Sequence, residues 1–77
     1  MQHDVVGKRI KELREARGWT RVQLGVYAGL STSTVSFVES GRRTPNAETM
    51  IKLAEALGVE PGEFFQGSDQ VPLAQAR

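Results

Sequence analysis

Thr32, Ser33, Ser36 and Phe37 lie at i, i+1, i+4 and i+5, which places them on one side of a helix if Val35 and Val38 occupy the other. Three are short hydroxyls, each able to donate or accept a hydrogen bond, and the fourth is an aromatic ring. Such a face suits recognition of mixed polar edges beside an apolar group, with no bond made or broken. Arg42 and Arg43 follow just beyond it, where guanidinium groups can pair with oxyanions. Covalent chemistry finds little support elsewhere. The single histidine is His3, near the terminus, and the absence of cysteine removes thiolate nucleophiles, disulfides and Cys-rich zinc sites. Glu12 and Glu15, three apart among Lys8, Arg9, Lys11 and Arg14, read as ion-pair partners rather than as an acid–base couple. No glycine-rich phosphate loop is present. The sequence predicts a binding protein and not an enzyme, with no cofactor and no metal site.

Net charge is only +1, but it is divided unevenly. Residues 1–45 carry eight of the ten basic side chains against four acids, a local +4, whereas residues 46–77 carry −3. No acid falls between Gly18 and Val38. Such asymmetry predicts one surface that meets a polyanion and another held away from it, with chance clustering as the alternative. The 77 residues leave room for one domain. Its core must be compact, because a chain this short buries only about 60% of its unfolded surface. No apolar run approaches the ~20 residues of a membrane span, and the N-terminus lacks a signal-like apolar stretch. The expectation is a cytoplasmic protein with no membrane contact.

The elements that must position the hydroxyl face follow from periodicity and caps. Val6, Ile10 and Leu13 form one apolar stripe over roughly Asp4–Arg17; Gly18 stops that helix, and Trp19 plugs the core at the turn. Thr20-Arg-Val-Gln23 has capping-box form and opens a second helix to about Ala28, burying Leu24, Ala28 and the face of Gly25. Gly29 breaks it, Leu30 points inward, and Ser31 caps a third helix that ends near Ser40-Gly41. Two short helices joined by a tight glycine turn are a helix-turn-helix in outline. Asn46 caps a fourth helix whose inward face is Met50, Ile51, Ala54 and Leu57, with Leu53 beside them, and Gly58 stops it. Pro61 opens a short fifth helix carrying Phe64 and Phe65. From Gly67 onward periodicity is lost. The expectation is an all-α, compact five-helix domain over 1–66 and a mobile tail over 67–77.

In continuous order over about Val6–Phe65, the runs GKRIKELREARGWT, RVQLGVYAGLSTSTVSFVESGRRTP and AETMIKLAEALGVEPGEFF resemble one known family. It is the DNA-binding domain of the phage-repressor (Cro-type) helix-turn-helix family, lambda-repressor-like in fold. The resemblance implies a sequence-specific regulator of transcription, a repressor that binds an inverted repeat in double-stranded DNA as a homodimer. In that family the positions of Thr32, Ser33 and Phe37 reach base edges, and Ser36 shares their face. In a major groove the hydroxyls can meet donors or acceptors and the ring can pack on a thymine methyl. The other readings are a ring folded back onto the core and a merely solvated polar face.

Arg42 and Arg43 are expected at phosphates or an adjacent minor groove, with neutralisation of the helix dipole as the alternative. Arg21 stands where the family commonly has Gln on a phosphate. Thr20, Ser31, Ser40 and Thr44 are further hydroxyl donors to phosphate, each with capping or solvation as its alternative. Arg14 and Glu39 look like the family's bridge, which aims the recognition helix. Val59, Phe64 and Phe65 are dimer-contact candidates, core filling being the alternative for at least one Phe. Two departures stand out: Gly25 replaces the family's usual Ala, and the recognition face lacks the Gln, Asn or Arg of bidentate base contacts. Weight should therefore shift to shape and phosphate terms. The rivals are an antitoxin-like or adaptor module whose main partner is a protein, docking through Phe37, and a non-specific nucleoid-type binder.

Overall fold

The computed structural model describes residues 2–65 and contains, among them, four α-helices and one 3-10 turn. The helices are α1 (Gln2–Ala16), α2 (Arg21–Ala28), α3 (Thr32–Ser40) and α4 (Ala47–Leu57), followed by the turn Pro61–Phe65. The expected fifth helix is thus only this turn. Five residues behind a proline give too few i to i−4 bonds to nucleate an α-helix, and the tighter 3-10 winding closes them instead. The tail expected over 67–77 lies outside the described residues.

The boundaries follow from side chains that satisfy helix-end amides. Thr20 Oγ1 accepts the Gln23 N–H at 3.0 Å while Gln23 Oε1 accepts the Thr20 N–H at 2.8 Å, completing the capping box. Ser31 Oγ accepts the Thr34 N–H at 3.1 Å, and Asn46 Oδ1 accepts that of Thr49 at 2.8 Å. Gly29 closes α2 in the left-handed region at φ 73°, and the Leu30 N–H then reaches back to the Gly25 carbonyl at 2.8 Å. A Cβ on Gly25 would lie 2.8 Å from the Leu30 carbonyl oxygen, so the α2–α3 turn folds directly over a position that has no room for alanine.

Val6 and Ile10 of α1, Leu24 of α2, Val35 of α3, Leu53 and Leu57 of α4, and Phe64 form the centre, none more than 2% exposed. Removing such surface from water is the main favourable term, about 1.5–3 kcal/mol for each large side chain. On α4 Leu53, Ala54 and Leu57 are buried and Met50 packs half-buried beside them, whereas Ile51 is 49% exposed. This corrects the expectation that Ile51 faces inward. Steps of i, i+3, i+4 and i+7 from Met50 leave its apolar neighbour on the outer side. Phe64 is likewise corrected: wholly buried in the core, it is not available as a dimer contact.

Two contacts hold the helices in register. At Gly7 the backbones of α1 and α3 meet so closely that a Cβ would run into the carbonyl oxygens of Val38 and Glu39. Arg17, beyond the end of α1, donates to the Leu57 carbonyl at the end of α4 and lies over the Trp19 ring, 5.5 Å from its centroid. Trp19 packs against the core, as its place at the turn suggests, and meets Tyr27 in a tilted contact, ring centroids 4.6 Å apart and planes at 58°.

Candidate nucleic-acid interface

The capped and buried side chains of α3 fix which residues it presents. Val35 and Val38 are 1% and 3% exposed, so the opposite side carries Thr32 and Ser33, both exposed, with Ser36 and Phe37 half-buried. The four base-contact candidates therefore share one outward face. Phe37 does not pack against the core. The Arg43 guanidinium covers its ring instead, with Cζ 5.0 Å from the centroid. The folded-back reading of the ring is set aside, and Arg43 stands beside the recognition face, not extended from the loop.

The hydroxyls divide by duty. Thr20 and Ser31 serve as caps through their lone pairs, and Ser31 Oγ also lies 2.9 Å from Thr34 Oγ1. Ser40 Oγ donates to the Phe37 carbonyl at 3.0 Å, the helix-end bond named as the alternative to a phosphate contact. Thr44 and Arg42 are exposed beyond α3, where the Arg42 N–H closes on the Phe37 carbonyl at 3.1 Å.

Glu39 ties three helices together. Its side chain is 1% exposed and accepts Arg14 Nε at 2.7 Å and Arg14 Nη2 at 3.0 Å, a fork-on-fork pair between α1 and α3. Arg14 Nη1 donates to the Trp19 carbonyl at 2.8 Å, fixing the chain where it leaves α1. The expected Arg14–Glu39 bridge is present and buried. The hydrogen bond to Glu39, and then its charge, holds the Arg14 guanidinium above its ordinary range against the opposing pull of burial. A folded pKa above the unfolded one contributes stability in full below the unfolded value and loses it as pH rises through the folded value. For an arginine that window is strongly alkaline, so Arg14 adds no pH dependence near neutrality.

Arg21 is the residue whose setting the sequence did not reveal. Its Nε donates to Glu39 Oε1 at 3.1 Å, yet its side chain is 47% exposed. One edge of the guanidinium is held by the carboxylate while the rest faces solvent at the N-terminal end of α2. Nothing local announces this pairing, because the partner lies 18 residues away. Of the dimer candidates, Val59 is half-buried against the core, and the side chain of Phe65 lies outside the described residues, as does that of His3. Among the described residues, no group of three or more His, Cys, Asp or Glu stands together, and no helix is long and apolar enough to cross a membrane.

A capped, glycine-turned helix pair whose second member turns a polar face outward defines a helix-turn-helix, and residues 10–64 match the model of the family described by that name. The chain belongs to this helix-turn-helix family of DNA-binding transcriptional regulators, in its Cro-type form. It is 35% identical over 68 residues to the uncharacterized HTH-type transcriptional regulator y4dJ of Sinorhizobium fredii, covering 88% of each protein. Among solved structures it resembles the restriction-modification controller protein C.AhdI from Aeromonas hydrophila, with TM-score 0.79, 40% identity, and 82% and 96% of the two chains covered. It also resembles the P22 c2 repressor, determined in complex with a synthetic operator, with TM-score 0.75, 28% identity and the same coverage. The chain spans a quarter of the length of the mycobacterial regulators that it matches at 36% identity.

Proposed function

We propose that this protein is a sequence-specific repressor that binds an inverted repeat in duplex DNA as a homodimer and performs no covalent chemistry. The observation that carries the reading is α3 itself. It is capped by Ser31, clamped from behind by the buried Arg14–Glu39 pair, and offers Thr32, Ser33, Ser36 and Phe37 outward. A helix so held can enter a major groove with base-reading atoms in a fixed register. Arg21, Arg42 and Thr44, with the free proton of Thr20 and the cap at Ser31, supply phosphate contacts around it. Each half-site would lie about one helical turn from the other, and occupation would exclude RNA polymerase. The relatives support the reading, since one similar structure holds a repressor on its operator. Val59 and the end of the 3-10 turn are the proposed dimer contact. A regulator bound to DNA would lie in the cytoplasm, at the nucleoid.

The test is selection from a random duplex pool, followed by salt titration of the enriched sequence beside a scrambled one. An inverted repeat with a steep salt slope is the expected result. Each phosphate contact contributes about 0.9 to that slope. Equal, weak binding to both duplexes would mark a non-specific binder. No DNA affinity, with salt-insensitive capture of a polypeptide, would mark the adaptor module.

A further inference from the structure

The recognition face carries no Gln, Asn or Arg of its own, the side chains that make paired hydrogen bonds to a base edge. The fold brings one to it from outside the helix. Arg43, beyond the Gly41 cap, lies with Cζ 5.0 Å from the Phe37 ring centroid. The side chain is exposed, and among the described residues its guanidinium enters no ion pair. A cation–π contact to the ring takes up none of the guanidinium's N–H donors in hydrogen bonds. Phe37, for its part, is half-buried without joining the core, and it shares its helix face with Thr32 and Ser33.

Resting on the reading of this chain as a DNA-binding regulator, we infer that Phe37 and Arg43 act as one reader of a pyrimidine–guanine step. The ring packs on the C5-methyl group of the pyrimidine, and the guanidinium donates to O6 and N7 of the neighbouring guanine. Their 5.0 Å separation is close to one base step, whose rise is about 3.4 Å before any lateral offset, so the pair addresses adjacent base pairs and not distant ones. Arg43 thereby specifies sequence, in place of the phosphate contact that its loop position suggests. Methylation of a cytosine at C5 creates the same apolar contact that thymine offers.

The test uses the duplex enriched from the random pool. Deoxyuridine replaces each thymine in turn and 7-deazaguanine each guanine, with binding titrated for the wild type, Phe37→Ala and Arg43→Ala. Circular dichroism confirms that both variants fold. One uridine position per half-site should weaken the wild type about fourfold, the worth of one buried methyl-sized group. If the selected pyrimidine is cytosine, its C5-methylation should strengthen binding by the same factor. Deazaguanine next to it should weaken binding about fivefold or more. Phe37→Ala should be blind to the first change and Arg43→Ala to the second. Arg43→Ala weakening every duplex equally, with the salt slope lowered by about one, would make it a phosphate contact and overturn the inference. So would a tightly bound duplex indifferent to every modified base, which leaves the regulator reading standing. Failure to bind any duplex overturns both.

Discussion

Two arginine-centred clusters flank the second half of α3, and they are built on opposite terms. At Glu39 the carboxylate is 1% exposed, receives two arginines, and shares one of them with the Trp19 carbonyl. At Phe37 a half-buried ring lies beneath an exposed guanidinium in cation–π contact. The first cluster spends its donors inside the protein and fixes where α3 points. The second holds its donors in reserve. A recognition helix needs both, since a face can read only if its frame does not move and its own groups are not already satisfied.

Breaking the first cluster should have the largest effect. Arg14→Ala leaves a buried carboxylate held only by the exposed Arg21, and should cost about 3–5 kcal/mol. For a domain of this size that lowers the melting temperature by more than about 12 °C, read by thermal circular dichroism. A melting temperature unchanged within error would show that the bridge does not hold the frame. Gly7→Ala attacks the same frame through the main chain. Its Cβ must push apart α1 and α3, at a cost of about 1–3 kcal/mol measured by urea titration. Ser31→Ala removes the α3 cap and should cost about 1 kcal/mol.

The comparison sharpens at the smallest effects. Arg21→Gln gives up a part-buried pairing whose arginine is half-exposed, and Arg14 still holds both oxygens of Glu39, so stability should fall by about 1 kcal/mol. Its salt slope on DNA should nevertheless drop by about one. Phe37→Ala removes a ring outside the core and a cation–π contact worth about 0.5–1 kcal/mol. Its melting temperature should fall by less than about 8 °C while discrimination among duplexes is lost. A large fall in stability here would mean that the recognition face is itself part of the frame, and the contrast between the clusters would collapse.

What the sequence disclosed and what it hid divide along similar lines. Thr20, Ser31 and Asn46 as caps, and Gly18, Gly29 and Gly58 as stops, were legible because each acts on backbone within a few residues. The outward face of α3 was legible because Val35 and Val38 leave it one orientation. Adjacent apolar residues blurred the reading at Met50-Ile51, where two stripes compete until a neighbouring helix chooses. The Arg14–Glu39 pair came from resemblance rather than from spacing. Arg21 on Glu39 and Arg43 on Phe37 were hidden, because each depends on how a long side chain leans once the tertiary fold exists. Ser40 is a milder case, since a hydroxyl at a helix end has an internal acceptor as close as any external one.

The backbone contact at Gly7 has a consequence for descent and for engineering. Because α1 touches α3 through main-chain atoms, the seating of the helix depends little on which side chains α3 displays outward. Positions 32, 33, 36, 37 and 43 can then vary as a set, like type in a fixed chase, while the frame that presents them is inherited unchanged. A lineage could move from one operator to another by a handful of surface substitutions, and a designer could follow the same route without recomposing the core.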